Sequence, residues 1–110
     1  MIIGNGVKDI SAEAFSGCTS HVSVTIGDSV TSIGNDAFLG CANLVSLMIP
    51  GRVSMIYVGA FSGCTNLSSV ILENPAGWSI DSGQGFAILD DPSIVAEYLS
   101  STYSSFFWMR

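Results

Sequence analysis

Cys18 and His21 stand close together, with Cys41 and Cys64 farther along, and thiolate and imidazole are the ligands that zinc prefers. A metal centre is therefore the first chemistry to weigh against the spacing. The thiols recur at a fixed interval, 41 − 18 = 23 and 64 − 41 = 23 residues. If equivalent positions stack like adjacent strands, each step is roughly 4.8 Å and Cys18 lies roughly 10 Å from Cys64. Ligands that sit about 2.3 Å from one zinc ion are much closer together than that. A disulfide between neighbouring steps is sterically open, but an odd count leaves one thiol over. A ladder of buried free thiols, each acting as a small hydrophobe, accounts for all three.

Nucleophilic catalysis would have to pass through His21, the only histidine. By equivalence with Leu44 and Leu67 that position faces a core or its edge, and a triad also needs an acid and a nucleophile within hydrogen-bond reach. Carboxylates gather only as Asp81 near Gly83 and Gly85, and as Asp90 with Asp91. Calcium takes about six to eight oxygens, often from an alternating Asp/Asn loop, so turn and N-cap roles explain these acids better. Asn66-Leu67-Ser68 spells the glycosylation triplet, but Asn66 belongs to a corner beside an inward Leu, and the triplet is short and common. The chain is read as non-catalytic, with no metal and no cofactor.

The elements that carry these residues are set by the same interval. Phe15, Phe38 and Phe61 keep it, as do Gly17, Gly40 and Gly63. The apolar positions join them: Val7, Val30 and Val53; Ile10, Ile33 and Ile56; Val24, Leu47 and Val70; Ile3, Ile26, Ile49 and Leu72. Equivalent apolar sites at such a period mark a solenoid, in which no coil can bury its inward face alone. "LVSLMIP" (44–50) alternates as a short strand with Leu47 and Ile49 inward, ended by Pro50 or its equivalent Gly27. "RVSMI" (52–56) reads as a second extended piece. The Ala-Phe-x-Gly-Cys phrase then reads as a helical turn that plugs the corner with an aromatic ring and leaves through a conformation suited to Gly.

The pattern Ile-x-x-x-Val-x-x-Ile-x-x-x-Ala-Phe-x-Gly-Cys-x-x-Leu-x-x-Val-x-Ile resembles the BspA-like (Treponema-type) leucine-rich repeat. The resemblance covers residues 1–72, with His21 in place of the later Leu and Tyr57-Val58 in place of Gly34-Asn35. It implies an α/β class leucine-rich repeat solenoid of three coils, with a short parallel sheet and mostly strand and turn. It also implies an extracellular or cell-surface protein that contacts host proteins, glycans or other cells.

From Glu73 the period stops. Residues 73–110 read as a capping segment rich in turn residues, with Trp78, Ile80, Phe86, Ile88 and Leu89 as its apolar content. Asp91 offers an N-cap and Pro92 a first helical position, which predicts a helix over 92–102 with Ile94, Val95, Tyr98 and Leu99 on one face. Such a cap would cover the last coil's core and open edge. The N-terminal coil shows no cap, so it is expected either to belong to a longer array or to pair two chains as a homodimer.

Charge bounds the partners. Three basic residues face nine acidic ones, for a net charge of −6, which argues against nucleic acid and against an anionic bilayer. No apolar run reaches the roughly 18 residues a membrane helix needs, and no signal peptide is legible after Met1. Either the chain stays inside the cell or an export segment lies outside this sequence.

The surface expected to bind is the outward side of the strands: Ser23, Ser46 and Ser69 in one column, Thr25, Met48 and Ile71 in the next. Exposed apolar residues beside hydroxyls mark contact sites, although β-branched and apolar residues also sit on a sheet because they fit a pleated surface. Tyr57 with Val58 offers a second patch on another side. The expected function is binding of a protein or glycan. The alternatives are a spacer, cap or self-assembly element of a larger array, and an intracellular interaction scaffold, which the free thiols suit.

Overall fold

The computed structural model describes residues 2–4, 6–20, 22–74, 77–80, 92–102 and 108–109. His21, Asp81, Asp90, Asp91, Phe86, Ile88 and Leu89 lie outside the described residues. The strands are β1 (Ile2–Ile3), β2 (Asp9–Ile10), β3 (Ser23–Ile26), β4 (Ser32–Ile33), β5 (Ser46–Ile49), β6 (Met55–Ile56), β7 (Ser69–Leu72), β8 (Ser79–Ile80) and β9 (Trp108–Met109).

Three coils wind into a stack of repeats whose first wall is the parallel sheet β1-β3-β5-β7. Its register follows the sequence period: Val24 pairs with Leu47 and Leu47 with Val70, each partner one repeat away. Along β3 and β5 exposed and buried residues alternate, so Val24, Ile26, Leu47 and Ile49 face the core while Ser and Thr or Met face out. That alternation is the pleat expressing a one-sided apolar pattern.

A second wall, β2-β4-β6-β9-β8, runs along the other side. The extended piece expected over 52–56 narrows to Met55–Ile56, because Gly51 and Arg52 are taken up in a turn whose Val53 amide donates to the Pro50 carbonyl. The first three strands of this wall are parallel. β9 then enters antiparallel between β6 and β8, with Met55 opposite Met109 and Ile56 opposite Trp108.

The Ala-Phe-x-Gly-Cys corner is not the expected helical turn. Its amides alternate between two destinations. Ala14, Ser16 and Cys18 donate three residues back, whereas Glu13, Phe15 and Gly17 donate across to the carbonyls of Asn35, Ala37 and Leu39 in the next coil. The second corner repeats this, with Asp36, Phe38 and Gly40 donating to Val58, Ala60 and Ser62. A helix would keep every amide within its own coil. Here half of them lace coils together, which satisfies buried backbone and fixes the stacking distance at once. The cost is left-handed backbone: φ is +72° at Gly17, +70° at Gly40 and +75° at Gly63, residues that lack the Cβ that would clash there.

The rings of the corner form one column. Phe15 and Phe38 stack with centroids 5.2 Å apart, as do Phe38 and Phe61. Burial falls towards the N-terminal end: Phe38, Phe61, Cys41, Cys64, Val30 and Val53 are buried, while Phe15 and Cys18 are half-buried and Val7 is exposed. Val7 thus departs from its expected inward place, because among the described residues its coil is packed on one side only.

At the other end α1 (Pro92–Glu97) lies against β7 and continues as a π-helical segment, Tyr98–Thr102. Val95, Ala96 and Leu99 form its buried face. Ile94, expected inward, is exposed, because Val95 and Leu99, four apart, lie one above the other on the sheet-facing side. The Ser100 hydroxyl donates to the Ala96 carbonyl at 2.7 Å where the helix widens. Trp78 and Trp108 are buried edge-to-face, centroids 6.3 Å apart, and the Trp78 indole donates to the Asn74 carbonyl at 3.2 Å.

Candidate functional site

The outward residues of the first sheet fall into two straight columns. Ser23, Ser46 and Ser69 are Cα partners in adjacent strands, and so are Thr25, Met48 and Ile71. Ser23, Thr25, Ser46, Met48 and Ile71 are exposed, Met48 at 43% and Ile71 at 49%, and Ser69 is half-buried. Together they line a shallow depression of about 370 Å³, completed by Val24, Ile26 and Leu47 of the strands themselves. No charged side chain is among its lining residues.

One member of the second column escaped the sequence reading. Ile2 pairs with Thr25 across β1 and β3 and is 80% exposed. The signal was present, since Ile3 had already been aligned with Ile26 and its neighbour had to follow. Exposed Val22 and Val45 flank the serine column just ahead of β3 and β5. Apolar carbon therefore brackets a row of hydroxyls, a surface that can hold uncharged ligand by contact and by donor–acceptor exchange.

The thiols lie elsewhere, at the corners. Cys41 Sγ donates to the Phe15 carbonyl at 3.2 Å and Cys64 Sγ to the Phe38 carbonyl at 3.1 Å. All three cysteines are free. Burial pushes the Cys41 thiol up, and burial joined by the neighbouring Cys41 pushes Cys64 up to about 12. Both are protonated donors at neutral pH, which suits a packing role and removes the nucleophilic thiolate. Among the described residues no three His, Cys, Asp or Glu side chains gather as a set of metal donors.

Tyr57 and Val58 are exposed after β6, where the Tyr57 hydroxyl reaches Met55 Sδ at 3.7 Å. They belong to the second wall and stand apart from the serine column. Among the described residues no helix is long and apolar enough to cross a membrane.

No curated protein matches the chain. A solved structure does, titled as the crystal structure of the T. pallidum leucine rich repeat protein: 35% of aligned residues are identical, the TM-score is 0.58, and the match covers 59% of this chain. It covers 30% of that protein, so the chain spans under a third of its length. Residues 1–82 match the family described as "BspA type Leucine rich repeat region (6 copies)", past the end of β7 and through β8. A leucine-rich repeat fold is typically a non-catalytic scaffold. Coils in strict register, a stacked phenylalanine column and that match over most of the sequence agree: the chain belongs to the BspA-type leucine-rich repeat family.

Proposed function

We propose that the chain is a non-catalytic interaction module that takes a protein or glycan ligand on the outward face of the sheet β1-β3-β5-β7. The observation that carries this reading is the depression lined by both columns, hydroxyls on one side and Met48 and Ile71 on the other. Exposed apolar residues in such a setting are what contact sites are made of. Because the lining is uncharged, binding there depends little on ionic strength. A surface or secreted location with a role in adhesion follows from the family likeness and is part of the proposal.

The test pairs the chain with the double variant Met48→Glu/Ile71→Glu on an array of matrix proteins and surface glycans, with urea unfolding as a check on the fold. Losing two exposed apolar side chains that a bound ligand would cover, about 1.5–3 kcal/mol each, weakens binding by roughly 100-fold or more. A ligand held equally by a folded variant sinks the proposal. The second reading is a cap or spacer in a larger array, favoured by the covering of β7 by α1 and of β6 by β9. Silence of both proteins on the array shifts the weight there.

A further inference from the structure

We infer that Met48 is a redox-sensitive residue of the ligand face: a peroxide converts its thioether to the sulfoxide, and that one oxygen switches off the apolar half of the depression. The inference rests on the ligand-face reading above and adds a means of regulating it.

Met48, Met55 and Met109 are exposed to similar extents, 43%, 37% and 39%, so access alone does not separate them. Their surroundings do. The Tyr57 hydroxyl donates to Met55 Sδ at 3.7 Å, which engages a sulfur lone pair that would otherwise attack an oxidant. Met48 Sδ meets no such donor among the described residues. Met55 and Met109 stand opposite each other on the second wall, whereas Met48 lines the depression, with Thr25 and Ile71 as its partners in the adjacent strands. The thiols compete weakly, because peroxides attack thiolates and both Cys41 and Cys64 are buried and protonated at the corners. The sulfur that an oxidant reaches at the ligand face is therefore a thioether.

The step balances with the peroxide as its only co-reactant. The thioether gives an electron pair to one peroxide oxygen, the oxygen–oxygen bond breaks, and the other oxygen leaves as water while sulfur is oxidised to the sulfoxide. An adaptable apolar contact becomes a strong hydrogen-bond acceptor. Thr25 stands one strand spacing from Met48, roughly 4.8 Å between backbones, and its hydroxyl has no partner among the described residues, so it can donate to the new oxygen. A ligand seated on the apolar column would then cover a polar group that it cannot satisfy. Ile71, at the equivalent place in β7, offers apolar contact with no such chemistry, so the sensitivity belongs to Met48 alone in its column. A thiol-dependent sulfoxide reductase reverses the step, as two thiols close to a disulfide and the oxygen leaves as water.

The test treats the folded chain with graded hydrogen peroxide at about pH 5, where thiols are protonated, and follows each methionine by peptide mass mapping. Occupancy of the face is read with Nile red, an uncharged apolar dye, on the native chain, on Met48→Leu and on Met48→Glu/Ile71→Glu. Met48 should oxidise about 3-fold faster than Met55 or more. Dye affinity of the native chain should fall about 10-fold in step with the Met48 sulfoxide and return after reductase treatment, while Met48→Leu keeps the dye throughout. An unchanged urea midpoint for the oxidised chain shows that the face has altered and the fold has not. Met48 reacting no faster than Met55, an oxidised native chain that still holds the dye, or equal loss by Met48→Leu overturns this inference alone. A dye that the double variant holds as well as the native chain, or that neither holds, overturns the ligand-face reading and this inference with it.

Discussion

Phe38 sits between two rings, each 5.2 Å away, with interplanar angles of 14° to Phe15 and 4° to Phe61, and it is fully buried. Replacing it with alanine removes a buried aromatic, which costs about 3–5 kcal/mol, and also two stacked pairs at about 0.5–1.5 kcal/mol each. The top of the range, about 5 kcal/mol, is expected because the neighbouring rings are held in place by the corner bonds and cannot close the gap. Phe15→Ala removes a half-buried ring and a single stack, so about 2 kcal/mol is expected. Urea unfolding followed by far-UV circular dichroism gives both values, with a fixed m-value confirming that the same surface unfolds. A loss of about 5 kcal/mol comes close to the whole stability of a small domain, so Phe38→Leu provides a milder variant, expected at about 1–2 kcal/mol. Equal costs at Phe15 and Phe38 would refute the reasoning, since the end ring would then be as buried as the central one.

Gly40 has φ +70° and open space where a Cβ would point, so Gly40→Ala should cost about 1–2 kcal/mol through backbone strain alone. Gly40→Asn should cost less, because Asn tolerates the left-handed region, and an Ala variant no worse than Asn in urea unfolding would remove strain as the cause. An aromatic disulfide added to the native chain should modify half-buried Cys18 first and leave Cys41 and Cys64 protected until unfolding. Cys64 titrates at about 12 when folded against 9.0 as an ordinary thiol. The fold therefore disfavours its thiolate, and the contribution is complete below about pH 9 and falls as pH rises towards 12, by up to about 1.4 kcal/mol per unit. Cys64→Ala should show a shallower alkaline loss in urea midpoints, and an identical slope would assign that loss to other groups.

The period made much of this molecule legible. Because residue i pairs with residue i + 23, aligning Val24 with Leu47 and Val70 already stated the register of the first sheet, and aligning the three Phe stated their stack. The alternation in "LVSLMIP" likewise put Ser46 and Met48 on the outward side. The corner escaped because alternating amide directions are a property of the backbone. Side chains report it only through φ, and there the sequence is ambiguous: Glu13 and Asp36 take φ of +61° and +55° at the place where Gly59 takes +74°. A column holding an acid, an acid and a glycine was the available hint. β9 escaped because two residues carry no periodicity. The inward face of the helix was misjudged at Ile94 because small Ala96, which lets α1 approach β7, gives a weak apolar signal.

The insertion of β9 has a consequence for how the chain folds. β6 and β8 are near in sequence, yet the strand between them comes from much farther along: Ile56 waits for Trp108, 108 − 56 = 52 residues later. Coils joined by local ladders can zip up one after another as synthesis proceeds, whereas this wall can close only after Trp108 and Met109 have left the ribosome. Until then β6 keeps an unsatisfied edge that invites pairing with a neighbouring nascent chain. Loop closure over that span makes this step slower than the zipping of the coils. The stack grows from one end by local contacts, and it is locked from the other by a non-local one.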